Sequence, residues 1–135
     1  MNIDFYGIVL DGLKKYNAEN VSKKYKNTIV SIPPTKPTYP LTVFEEIDNS
    51  SATRNKLLDV TANVGFKVSI FAQNKGETPK NIVAREIAKT LDTYLSNCVG
   101  LKRLSFNVFT AKESSLYEVV MIYTGTLNEY RLKVN

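Results

Sequence analysis

The sequence predicts an α+β fold: a four-stranded, mainly antiparallel sheet with an N-terminal helix and a central helix packed on one face. Two observations lead to this fold class. Several segments alternate apolar and polar residues with a period of two, which indicates strands that bury one face. One segment between them repeats apolar residues about every 3.6 positions, which indicates an amphipathic helix. The order of these segments gives a split ββαββ arrangement in a single domain over residues 1–135.

The first two strands are predicted at residues 41–48 and 60–73. In the second of them every other residue from Val60 to Ala72 is apolar. Gly65, in the middle of this strand, marks a bulge or a close backbone approach. The intervening residues 49–59 begin with a polar run that has no periodicity. They are therefore predicted to form a loop.

The central helix is predicted over residues 78–100. Thr78 suits the N-cap, Pro79 the first helical position and Gly100 the far end. The apolar stripe that should face the sheet comprises Val83, Ile87, Leu91, Tyr94 and Leu95. Cys98 lies in the apolar end of this segment, where a buried structural thiol is expected.

The last two strands are predicted at residues 101–110 and 116–128. In the first of them the alternation turns Leu104, Phe106 and Val108 toward the core and leaves Arg103 outside. The second is apolar on both faces, so it should be central in the sheet or covered by another chain. Burial in one layer is expected for Phe66, Val68, Ile70, Leu91, Phe106 and Val108.

The segments before the sheet are a helix and an extended arm. Residues 1–18 are predicted to be helical, because Ile3, Tyr6, Val9, Leu10 and Leu13 share one face. Four prolines fall within residues 33–40, which predicts a stiff extended arm leading into the sheet-and-helix core at 41–128.

Composition fits an ordinary globular domain. The chain has 135 residues, of which 43% are hydrophobic and 23% charged, and one domain of this size can bury a core without staples. A single cysteine excludes an internal disulfide and a multi-thiolate zinc site. We expect a soluble protein made in the cytoplasm, since no signal peptide or membrane-spanning apolar run is evident.

The absence of histidine weighs against an enzyme. Ser–His–Asp and Cys–His nucleophiles and histidine metal sites are excluded. Glu45 and Glu46 are adjacent, so on a strand they point to opposite faces and cannot form an acid–base pair. No phosphate-binding glycine motif is present. The sequence therefore predicts no catalytic residue, no cofactor and no metal.

The charge leaves a second class open. The net charge is +5, and the early lysines Lys14, Lys15, Lys23, Lys24, Lys26 and Lys36 form a basic cluster. Such a cluster can bind nucleic acid through phosphates without reading any sequence, although a solvated basic face is the simpler interpretation. A small basic nucleic-acid-binding module is the alternative.

One resemblance rests on residues 39–128. Tyr39-Pro40-Leu41, the following Phe44 and Glu46-Ile47, the alternating strand 67–72 and Tyr123-Thr124-Gly125 resemble the tail terminator, or tail completion, proteins of long-tailed bacteriophages. The resemblance implies a small α+β protein that forms a homohexameric ring on the tail tube. Such a ring would stop tube polymerisation and join the head connector.

The partners implied are further copies of this chain, the tail tube protein and the head–tail connector protein, with no membrane and no specific nucleic-acid sequence. The expected location is the tail–neck region of the virion, after assembly in the host bacterial cytoplasm. Another neck or phage-like tail assembly component would share the same pattern. The residues expected at the contact between subunits are Arg54, Lys56, Leu57, Leu58, Arg85, Lys102, Arg103, Glu45, Glu46 and Glu118.

Overall fold

The structure, a computed structural model, describes residues 4–54, 60–74, 76–110 and 115–128. Two helices and five strands follow one another along the chain. The order is α1 (Phe5–Asn20), β1 (Thr28–Val30), β2 (Leu41–Arg54), β3 (Val60–Ala72), α2 (Lys80–Thr93), a π-helical segment (Tyr94–Val99), β4 (Lys102–Thr110) and β5 (Tyr117–Asn128). The α+β class is confirmed.

The sheet is five-stranded and mixed, with the strand order β1-β2-β3-β5-β4. β1 pairs parallel to β2, and the other neighbours are antiparallel. The predicted count of four strands is wrong because β1 has three residues, too few to show an alternating pattern. β5 lies between β3 and β4, so the prediction of a central strand at 116–128 is confirmed.

β2 is longer than the sequence indicates. Residues 49–54 of the predicted loop continue the strand, and Arg54 pairs with Val60. A polar run forms strand here because the backbone pairs with β3 while its other edge is free. The register shifts between Glu46 and Asp48, opposite Gly65. A Cβ at Gly65 would lie 2.9 Å from Ile47 Cγ1, so the prediction of a bulge or close approach at this glycine is confirmed.

The core lies between one face of the sheet and the two helices. Alternate residues of β3 are fully buried there, among them Phe66, Val68 and Ile70, and Leu91 of α2 packs with them as predicted. α2 begins one residue later than expected: Pro79 is the N-cap, and the Asn74 side chain accepts the Lys80 amide hydrogen at 2.8 Å. Gly100 ends the π-helical segment in a left-handed conformation (φ 85°), which agrees with the predicted helix end.

β4 departs from the prediction because it is an edge strand with a bulge. Its register shifts between Arg103 and Ser105, so Leu104 leaves the alternation and is 59% exposed. Phe106 is half-buried against the core, while Val108 is 36% exposed. The predicted burial of Leu104 and Val108 is wrong, because the helices lie over the middle of the sheet and leave its edge open.

The elements before β2 are tied to the sheet by polar contacts. The buried Asn17 donates to the Asn27 carbonyl at 2.9 Å, and the Asn27 side chain accepts from the Thr42 hydroxyl at 3.0 Å. Tyr6 stacks on Phe44 with ring centroids 5.3 Å apart. The end of α1 and the start of β2 are thereby fixed relative to each other.

The predicted buried thiol is wrong. Cys98 is exposed, because the π-helical segment turns Leu95 and Val99 inward and leaves Cys98 on the solvent side.

Candidate assembly interface

The first edge of the sheet is acidic. β1 covers only Leu41–Val43, so among the described residues the outer edge of β2 beyond Val43 has no neighbouring strand. Three acidic side chains follow along this free edge and are exposed: Glu45, Glu46 and Asp48. Ile47, at the bulge between them, is 54% exposed. Unpaired backbone at a sheet edge is a template for association with another chain, whereas the charges and the bulge restrict which partner can lie against it.

The opposite edge is basic and apolar. β4 pairs with β5 on one side and with no other described strand. Lys102 and Arg103 are exposed at its start. Leu104 is 59% and Phe109 53% exposed, so two large apolar side chains of this strand face water.

The register places the two edges in a fixed relation. Glu46 pairs with Phe66, Phe66 with Tyr123, and Tyr123 with Arg103, so Glu46 and Arg103 end the same row of residues across the sheet. Paired residues of neighbouring strands lie on one face, here the face that carries the helices.

A second row ends in the same way. Asp48 pairs with Gly65, which pairs with Thr124, which pairs with Lys102. This row lies on the other face, which the helices do not cover and which we call the open face. The acidic edge and the basic edge therefore match at two neighbouring levels, one on each face.

Two of the predicted residues meet over one aromatic ring. Arg85 and Arg103 hold their guanidinium carbons 5.5 and 5.4 Å from the ring centroid of Phe106. Arg85 Nε also donates to the Tyr117 hydroxyl at 3.1 Å, and Arg103 lies 3.6 Å from Asp92 Oδ2. Both guanidiniums are thus oriented from within the chain, with Arg103 at the sheet edge and Arg85 on α2.

Glu118 stands apart from the edges. It lies on the interior strand β5 and pairs with Phe71 on one side and Phe109 on the other, on the open face. Burial raises the pKa of its carboxyl, and Lys67 opposes this shift. No hydrogen bond or ion pair joins the Glu118 side chain to any other described residue.

The remaining predicted residues lie at the β2–β3 connection. Arg54 is the last residue of β2, and Lys56, Leu57 and Leu58 lie outside the described residues. Sequence reasoning missed Asp48, Phe71, Phe106 and Phe109 as parts of these surfaces. Only the strand register brings them beside the predicted charges. That register depends on a bulge opposite Gly65, which the sequence indicates, and on one at Leu104, which it does not.

The basic cluster near the N-terminus is partly neutralised. Lys24 Nζ lies 2.9 Å from Glu86 Oε2, and the Tyr25 hydroxyl donates to the same oxygen at 2.7 Å. The bond from Tyr25, together with Lys24, lowers the pKa of Glu86. Of the six lysines in the cluster, one is therefore engaged with an acid of α2, while the others are exposed.

Comparison of the chain with protein-family models and with curated protein sequences found no match. Within the described ranges, no group of three or more His, Cys, Asp or Glu side chains is placed to hold a metal ion. No helix among those same residues has the length and apolarity needed to cross a membrane.

Proposed function

We propose that this protein is a structural assembly subunit that closes into a ring through the two edges of its sheet, and that it acts as a tail terminator. In that role the ring caps the tail tube of a long-tailed phage, stops its polymerisation and offers the surface that joins the head connector. The observation that carries the proposal is the match between the acidic and basic edges at the ends of the same rows.

Such a match favours a head-to-tail contact between copies. When identical subunits stand side by side, the basic edge of one faces the acidic edge of the next at the same level. A head-to-tail contact of this kind closes into a ring when its rotation permits. Arg103 then faces Glu46 on the helix-bearing side, and Lys102 faces Asp48 on the open side.

The short strand β1 leaves room for these pairs. It extends the acidic edge only at the level of Leu41–Val43, which is the level of Asn107–Phe109 on β4. β1 of one copy can therefore lie beside the second half of β4 of the next. The start of β4 then faces a gap about one strand wide, or roughly 5 Å, which long charged side chains can bridge.

Edge charges of this kind set register and orientation more than affinity, since exposed pairs contribute about 0–1 kcal/mol each. A subunit held by such contacts stays monomeric when dilute. It assembles where a tube holds its neighbours at high effective concentration. This is the behaviour that capping a finished tube requires.

The test is negative-stain imaging of polymerised tail tube protein mixed with this protein. The wild type should produce tubes with closed ends, Lys102→Glu should lose the caps, and the double variant Lys102→Glu/Asp48→Lys should regain them. Lys14→Glu makes the same change in charge on exposed α1 and should cap normally. If the wild-type protein never associates with tubes, the tail terminator proposal fails. If Lys102→Glu caps normally, the edge contact is wrong.

A further inference from the structure

The open face of the sheet carries one aromatic row with a carboxylate in its middle. Leu41, Phe71, Glu118 and Phe109 follow one another across β2, β3, β5 and β4. Leu41 is buried, Phe71 and Glu118 are half-buried, and Phe109 is 53% exposed. A single acidic residue thus lies between two phenylalanines in one row, on a face that α1 and α2 do not cover.

Among the described residues no ion pair neutralises this carboxylate. The nearest cation that influences it is Lys67, which pairs with Ile122, four residues further along β5 than Glu118. Lys67 acts on the carboxylate through its charge, and no ion pair joins the two side chains. Lys67 also has Glu45 directly opposite it on β2. No described residue donates a hydrogen bond to the Glu118 carboxylate.

A half-buried anion without a donor is costly, and the two rings make its surroundings less polar still. A cation supplied from outside would remove that cost. Phenylalanine faces attract cations through their electron-rich π systems, most strongly where the contact is desolvated. The row therefore offers a cation two forms of attraction. The Glu118 carboxylate attracts it by charge, and the two phenylalanines attract it through their π systems.

The spacing of the row favours a flat cation. Phe71 and Phe109 lie on strands that are two spacings apart, or roughly 10 Å between backbones. A planar guanidinium stacks on aromatic faces and donates two parallel hydrogen bonds to one carboxylate, whereas an ammonium is compact and strongly hydrated. Arginine is the better fit for both partners at once.

We propose that Phe71, Glu118 and Phe109 form a docking site for an arginine side chain presented by a partner protein. Glu118 accepts the guanidinium N–H groups, and the two rings flank it. The partner segment carries arginine next to small or apolar residues, because the exposed Phe109 must also be covered. The site does not include the charged ends of the rows, so the free chain can be tested for it whether or not the chain forms a ring.

The experiment is an NMR titration of the 15N-labelled protein with acetyl-arginine amide, with acetyl-citrulline amide as the uncharged control of the same shape. The arginine probe should shift the amide signals of Phe71, Phe109 and Glu118 along saturable curves with millimolar affinity. The citrulline probe should leave these signals in place. An equal response to both probes, or no response to either, overturns the proposal.

Two variants locate the effect. Glu118→Gln should remove the response to acetyl-arginine amide, and Phe109→Ala should weaken it several-fold. Glu45→Gln removes an exposed acid from the same face, two rows away, and should bind the probe as the wild type does. Loss of binding in Glu45→Gln but not in Glu118→Gln would place the site elsewhere. A response to acetyl-lysine amide as strong as that to arginine would overturn the preference for a planar cation.

Discussion

The Tyr123 hydroxyl lies 2.5 Å from Asp92 Oδ1, and this contact joins the central strand β5 to helix α2. Tyr123 is fully buried, and burial followed by the bond to Asp92 raises its pKa far above the ordinary tyrosine range. Asp92 also accepts from the Ser96 hydroxyl at 3.1 Å and lies 3.6 Å from the Arg103 guanidinium. One carboxylate therefore connects helix, sheet centre and sheet edge.

Replacing Tyr123 with phenylalanine should lower the free energy of unfolding by about 1.5–3 kcal/mol, the range for a hydrogen bond to a charged group. The ring stays in place, so the loss reports the hydroxyl. Urea unfolding at neutral pH measures it. Ser96→Ala removes a weaker bond to the same carboxylate and should have a smaller effect. An equal loss in both variants would mean that the Tyr123 bond is not the dominant one.

Truncation of the core should separate the centre of the sheet from its edge. Phe66→Ala should cost about 3–5 kcal/mol, because the side chain is fully buried beside Phe44, at 5.1 Å between ring centroids. Val108→Ala should cost less than about 1 kcal/mol, since Val108 lies at the exposed edge. Denaturant midpoints compare the two. A large effect at Val108 would show that this edge is covered in solution.

The stability effect of Glu118→Gln should depend on pH. The pKa of Glu118 is raised in the folded state, so the folded protein binds this proton more tightly than the unfolded chain does. Above its folded pKa the ionised carboxylate therefore lowers the free energy of unfolding. This loss disappears as the pH falls below the pKa of the group in the unfolded chain. Glu118→Gln should raise the thermal midpoint at pH 7 and have little effect near pH 3.

The thermal midpoint should also be measured as a function of pH for Glu45→Gln. This variant is the matched control, because Glu45 is exposed on the same face. A stabilisation by Glu118→Gln that is as large at pH 3 as at pH 7 would assign the effect to hydrogen bonding or packing instead of charge.

The row that ends in Glu46 and Arg103 gives a second test of the ring. Glu46→Arg should abolish tube capping, and Glu46→Arg combined with Arg103→Glu should restore it in part. Restoration should be incomplete because Arg103 also contacts Asp92 and Phe106 within its own chain. Circular dichroism melting of each variant separates a lost contact from a lost fold. No recovery in a well-folded double variant would place the two residues apart in the assembly.

The interior of the sheet could be predicted from the sequence because burial is periodic there. Phe66, Val68 and Ile70 alternate with polar residues, and each is fully buried. β4 could not be predicted in the same way. The bulge at Leu104 shifts the alternation by one residue, so Arg103 and Phe106 lie on the same face although their sequence positions place them on opposite faces.

The candidate site shows the same division. Charge identified Glu46, Lys102 and Arg103, which the register then places at the ends of rows. Asp92 could not be found in this way, because its role depends on a helix turn that brings it within reach of Tyr123 and Arg103. The strand at residues 49–54 could not be predicted for another reason: it is formed by backbone pairing with β3, and its polar sequence has no periodicity.

The interior position of β5 has a consequence for synthesis. This strand fills the space between β3 and β4, yet both of those precede it in the chain. While the ribosome has delivered residues only as far as Thr110, both flanking strands lack the neighbour that holds them together. The β2–β3 hairpin can form early, but α2 then lacks part of the sheet surface that it packs on. The sheet should therefore close late in translation, when residues 117–128 leave the exit tunnel and insert between strands already present, and nascent chains stalled before that point should be the most prone to aggregate.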